Sequence, residues 1–181
     1  MSMPENREDK KITLCPMLSD EEAAAIARET LKHLVLEYKP GEVMKDGTVF
    51  AGLTADGKQI FAMPGDLDVT MTFNKAAKRV KELNAQNAYG HNDWVIPEKS
   101  TLHTVLNNKD KGALANTFKT SSGSGSGYPD WYWSSSEDPD DRVFVYIVRS
   151  TDGDEDWDLR ANVRLSCRPV RLVAPVARVP K

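Results

Sequence analysis

The chain has 181 residues, a size that fits one compact domain plus an accessory element. Hydrophobic residues make up 40% and charged residues 28%, which supports a sizeable core and argues against global disorder. A formal charge of −3 and a pI near 5.7 exclude nucleic acid as a default partner, because phosphate binding needs a basic stripe.

No apolar run approaches the roughly 20 residues that cross a bilayer, so no membrane span is expected. The opening "MSMPENREDKK" lacks the apolar stretch of a secretory signal, which points to a cytoplasmic or virion-associated protein. Cys15 and Cys167 are the only cysteines and show no CxxC spacing, so neither a disulfide scaffold nor a structural zinc site is expected.

Three parts are expected: a polar leader with an amphipathic helix (1–40), the main domain (41–175) and a tail (176–181). Ser19 followed by Glu22 forms a capping box, in which each side chain satisfies an amide of the other. Ala27, Leu31, Leu34, Val35 and Tyr38 then recur at helical spacing until "KPG" at 39–41 stops the helix. This stripe packs on the main domain or, in a second reading, assembles a homo-oligomer.

"GTVFAGLTADGKQIFAMP" reads as two short strands around the turn pair Asp56-Gly57. Thr72 is placed to cap a second helix, with Phe73, Ala76, Ala77, Val80 and Leu83 on its apolar face, ending before Gly90. Pro97 suits the first turn of a third helix, whose buried side is Leu102, Val105 and Leu106. "SSGSGSG" at 121–127 reads as a surface loop.

"RVFVYIV" (142–148) is apolar on both faces and belongs at the centre of a sheet. "ANVRLSC" alternates, with Val163, Leu165 and Cys167 on one side and Asn162, Arg164 and Ser166 on the other. At Pro169 the alternation slips, and a bulge or edge position accounts for it.

Two motifs carry a family likeness. "NDWVIPEKSTL" resembles the "DWRLPTxxEL" element, and "WYWSSSE…CRPVRLV" resembles the "YWSSTE…VRPVR" ending, of the Lcl C-terminal family. The likeness spans about residues 42–173. It implies an α+β domain with a C-type-lectin-like fold: two helices around a small twisted antiparallel sheet, here with an extra N-terminal helix. It also implies a scaffold role for Trp94, Pro97, Trp133, Ser134, Ser135, Arg168 and Arg171, with Glu137 pairing to Arg168 or Arg171. Glu98 stands where the family has Thr after the proline. The Glu-Pro-Asn and Trp-Asn-Asp motifs of calcium-dependent lectins are absent, which argues against calcium-bridged sugar binding.

The acidic stretch "TDGDEDWD" admits three readings. If extended, Asp152, Asp154, Asp156 and Asp158 project from one face and repel unless something cationic lies opposite. Arg160, Arg164 and Arg168, spaced by four, supply such a partner from a neighbouring strand. Calcium is the second reading, although Trp157 stands where an EF-hand loop needs glycine. The third is recognition, with exposed Trp131, Tyr132 and Trp157 giving contact area and the acids giving selectivity.

Some proteins with this fold and ending are targets of diversity-generating retroelements. On that resemblance Asp138, Asp140, Asp141, Arg142, Tyr146, Asp154, Asp156, Trp157, Asp158, Arg160 and Asn162 form the displayed set. Enzymes of the fold use a cysteine pair or clustered histidines, and His33, His91 and His103 sit apart. A carboxylate acid/base pair within 138–158 is the remaining route to catalysis. The expected function is therefore a non-enzymatic module for a protein or glycan ligand, with no required cofactor and calcium left open. The alternative is a structural subunit of a phage or surface particle, assembled through the first helix.

Overall fold

The two strands read around Asp56-Gly57 are the first elements of the main body. In the computed structural model they are β1 (Val49–Leu53) and β2 (Gln59–Ala62). Gly57 takes φ +84, where a side chain would clash, and its N–H donates to Thr54 O at 3.0 Å to close the turn. The structure describes residues 19, 22, 38–67, 69–121 and 128–174.

The chain divides into two compact units, Met1–Val35 and Leu36–Lys181. In the first unit the capping box is formed: Ser19 N donates to Glu22 Oε2 at 2.9 Å, and Glu22 N donates to Ser19 Oγ at 3.2 Å. The rest of the expected first helix lies outside the described residues, as do Cys15 and the 122–127 part of the glycine-serine loop. Tyr38, read as the end of that helix, sits in a bend of the second unit. Its ring packs 5.8 Å from Phe50 and 6.2 Å from Phe61, centroid to centroid.

The second unit is α+β. Helix α1 (Phe73–Ala85) buries Ala76, Val80 and Leu83, as its periodicity predicts. Thr72 is its N-cap residue, but the hydroxyl makes no capping bond. Helix α2 (Lys99–Asn107) buries Leu102, Val105 and Leu106, together with Thr101. Its N-cap is Glu98, so Pro97 stands one residue before the cap rather than inside the first turn.

Among the described residues seven strands make two sheets. One is β1-β2-β7, with β7 at Val170–Val173; the other is β5-β4-β3-β6. Its members are β3 (Tyr128–Glu137), β4 (Phe144–Arg149), β5 (Glu155–Leu159) and β6 (Leu165–Ser166). β4 lies between β3 and β5, the central place its apolar faces predict.

The expected single antiparallel sheet is corrected: the described residues make two sheets, and β3 pairs with β6 in parallel. The slip at Pro169 marks the change of sheet. Proline offers no ladder N–H, and at this point the chain leaves the four-stranded sheet and enters the three-stranded one. Met63 N donates to Pro169 O at 3.1 Å and Leu67 N to Cys167 O at 2.9 Å, so the segment after β2 runs along the crossing.

Two apolar clusters fill the interior. Val49, Ala51, Ile60 and Ala62 pack on Leu102, Val105, Leu106, Tyr132 and Val170. Trp94, Trp133, Val145, Ile147, Leu165 and Cys167 pack on the buried face of α1. Burial pushes the Cys167 thiol well above its ordinary pKa, so it behaves as a small core residue. Among the described residues no disulfide is formed.

Both motif tryptophans are sealed, and each indole N–H finds a carbonyl, as buried indoles require. Trp94 Nε1 donates to Ala88 O at 2.9 Å and Trp133 Nε1 to Met71 O at 2.7 Å. The serine run locks α2 to β3: Ser135 N donates to Pro97 O at 2.8 Å, and Lys99 N donates to Ser136 Oγ at 2.9 Å. Arg168 has no exposed surface. Its fork donates to Asp66 Oδ1 at 2.7 Å, Thr117 O at 2.7 Å and Met63 O at 3.1 Å, over the Phe118 ring. Arg171 instead meets Asp93. Neither arginine takes Glu137, because Arg168 faces Asp66, Met63 and Thr117 and Arg171 faces Asp93, whereas Glu137 lies at the far end of β3.

Candidate functional site

The region from Trp131 to Asn162 is organised by strand parity. Directly opposed residues of β4 and β5 share a face, and the pairs are Tyr146 with Trp157, Ile147 with Asp156, Val145 with Asp158 and Val148 with Glu155. Trp157, Tyr146 and Glu155 therefore point one way, and Asp156 and Asp158 the other.

On the first face Trp157 keeps 54% of its surface in solvent beside half-buried Tyr146. Lys99 of α2 places its Nζ 4.2 Å from the centre of the Tyr146 ring and donates to Glu155 Oε2 at 2.8 Å. His103, one turn further along α2, meets Glu155 Oε1 at 2.6 Å. Hydrogen bonds from Lys99 and then His103 hold the Glu155 carboxyl below its usual range.

The four alternating aspartates do not form one row. Asp152 and Asp154 lie in the turn before β5 and converge on Arg149, with Nη2 contacts of 2.6 and 3.0 Å. The Arg149 guanidinium also lies 5.1 Å from the Trp131 ring centre. The hydrogen bond from Arg149, followed by the Asp154 N–H, lowers the Asp152 pKa to about 2.

The arginines expected opposite the row go elsewhere. Arg160 binds Glu137 and lies 5.1 Å from the Phe73 ring centre, Arg164 donates to Thr70 O at 3.1 and 3.2 Å, and Arg168 is buried on Asp66. The physical reason is that β5 ends at Leu159, so no strand carries these arginines past the acids. Among the described residues no group of three or more His, Cys, Asp or Glu side chains is arranged to hold a metal ion.

Exposure of the aromatics needs correction for two of three. Tyr132 is fully buried; its hydroxyl donates to Asp66 Oδ2 at 2.7 Å and accepts from Lys119 N at 2.8 Å. Burial, then the Asp66 charge, drives its pKa far up. Trp131 is half-buried under Arg149. Tyr132 is inside because β3 lies between two strands and both of its faces are covered.

The turn after β3 carries Asp138, Asp140, Asp141 and Arg142. Asp138 Oδ1 accepts from Asp140 N at 2.8 Å and Asp141 Oδ1 from Val143 N at 3.1 Å, so two of the acids brace the turn itself. The Arg142 side chain is 88% exposed and approaches Glu137 at 3.7 Å. Arg142, Arg160 and Asn162 come together with Val143, Leu159 and Asn74 around an open cavity of about 250 Å³. From Glu137 to Arg160, nine acidic side chains face three arginines, a local charge of −6 within a chain of −3.

Lys99, His103 and Glu155 were not legible as parts of the site. The two helix residues lie 56 and 52 positions from Glu155, and no local spacing announces the contact. His91 is elsewhere, 2.7 Å from Asp46, and His33 lies outside the described residues.

No curated protein matches the chain. The family model of the Lcl C-terminal domain matches residues 54–171, which include both sealed tryptophans and both motif arginines. With more than half of its length matched, the chain belongs to the Lcl C-terminal domain family.

Proposed function

We propose that this domain is a non-enzymatic recognition module of C-type-lectin-like architecture, which meets a protein or glycan ligand through the face carrying Trp157 and Tyr146. The observation that carries the reading is the contrast between tryptophans. Trp94 and Trp133 are 1% and 0% exposed, whereas Trp157 is 54% exposed on an edge strand. An exposed indole beside a tyrosine gives rigid contact area at small entropic cost, the character of an interface hot spot. Arg142, Arg160 and Asn162 line a separate cavity beyond the end of β5, together with Asn74 of α1, and offer polar selectivity there.

The C-type-lectin-like assignment is supported by the two-helix, two-sheet frame and by β1 and β7 flanking β2, which brings the ends of the domain into one sheet. Diversification by a retroelement is part of the same proposal, because the exposed side chains between the anchors are not needed by the core. A near-copy of the coding sequence beside a reverse transcriptase gene supports that part, and a solitary gene counts against it.

The direct test is a glycan and protein array probed with the wild type and with Trp157→Ala. The expected outcome is at least a tenfold loss of the ligand-specific signal, equivalent to about 1.4 kcal/mol, with an unchanged melting temperature. Equal signal from both proteins contradicts the reading.

A further inference from the structure

Of the four outer strands of the two sheets, three are covered by a short piece of backbone. β1 is bridged by Val43, β6 by Met71 and β7 by Val95. β5 has no such bridge among the described residues. An open strand edge is a template for another strand, and proteins commonly block it.

The pairing fixes which β5 amides face outward. Arg149 N donates to Asp154 O at one end and Arg160 N to Val143 O at the other, so the ladder to β4 uses the even-numbered residues. The N–H groups of Glu155, Trp157 and Leu159 therefore point away from β4. The last two are already occupied. Trp157 N donates to Asp156 Oδ1 at 2.8 Å, and Leu159 N donates to Asp158 Oδ1 at 2.7 Å. Neither carboxylate has a cationic partner among the described residues, which sets them apart from Asp152, Asp154, Glu155 and Glu137.

We infer that Asp156 and Asp158 close the free edge of β5 by capping two of its three outward amides, so that a partner reaches this face through side chains and not by adding a strand. The proposal moves both aspartates from the ligand-contacting set to the edge, and it holds whether or not Trp157 binds a ligand. The occupant they exclude is a second copy of the chain. β5 places an exposed tryptophan on a five-residue strand, and without the carboxylates its outward N–H and C=O groups are free to pair with the same strand of another molecule.

The test uses the full chain in three forms: wild type, Asp156→Ala with Asp158→Ala, and Asp156→Asn with Asp158→Asn. Asparagine removes the charge but keeps an acceptor oxygen. Amide exchange at Trp157 and Leu159 is read in dilute protein, and association is read by size-exclusion with light scattering over rising concentration. The alanine form is expected to exchange these two amides about tenfold faster, the worth of one hydrogen bond, and to self-associate beyond wild type. The asparagine form is expected to match wild type in both.

If the asparagine form behaves like the alanine form, charge rather than capping guards the edge and the proposal fails. It fails equally if the alanine form exchanges at the wild-type rate or does not self-associate. Should the doubly substituted alanine form not fold, Asp156→Ala alone, with exchange read at Trp157 and association measured in the same way, decides the matter by the same criteria.

Discussion

At the level of single residues, the chain uses arginine in two ways that the sequence alone does not distinguish. Arg168 is a sealed core member whose planar fork reaches one carboxylate and two carbonyls at once, a geometry lysine cannot copy. Arg149 is a surface organiser that gathers Asp152 and Asp154 into one turn. Its effect is legible in titration. Asp152 has a folded pKa of about 2, below the ordinary aspartate value near 3.9. A depressed carboxylate pKa adds stability that is present above the unfolded value and fades as pH falls through the folded one. The Asp152 contribution is therefore lost between about pH 4 and about pH 2. Carboxyl NMR is expected to give a midpoint near 2 for Asp152, and Arg149→Ala is expected to return it toward 3.9. Arg168 and Asp66 are 102 positions apart and Arg171 and Asp93 are 78, which is why neither the four-residue spacing of Arg168 nor the family likeness named the acids that these arginines meet.

At the level of elements, what was readable was local. The Asp56-Gly57 turn, the apolar faces of α1 and α2 and the central place of β4 all follow from short-range pattern, and each is found. The misreadings share a cause as well. At Pro169 the alternation changes because the chain changes sheets, and a slip in sequence looks the same for a bulge as for a crossing. Tyr132, Trp133 and Ser134 are buried in succession because both faces of β3 are covered, which hides strand parity there. The serine run acts between elements. Ser136 supplies from β3 the acceptor that α2 lacks at its own start, where Glu98 makes no side-chain cap. Ser136→Ala is thus expected to cost about 1 kcal/mol, the usual worth of a helix cap. Urea denaturation checks this, and a change within experimental error would mean that the α2 terminus is held by Ser135 and Pro97 alone.

At the level of the whole molecule, charge is spread unevenly along the chain. The stretch from Glu137 to Arg160 carries −6, which leaves +3 on the remainder, and it holds most of the exposed polar side chains between the sealed anchors. A core of this kind tolerates change at its surface only where the changed side chains hold nothing inside. That separation is the central claim, and Trp157 bears it most heavily, being the one tryptophan with more than half its surface free. The decisive measurement is the unfolding free energy of Trp157→Ala. The account predicts a value within about 0.5 kcal/mol of wild type, as for a surface position. A loss of about 3–5 kcal/mol, the cost of truncating a core tryptophan, would show that Trp157 holds the fold together and would contradict it.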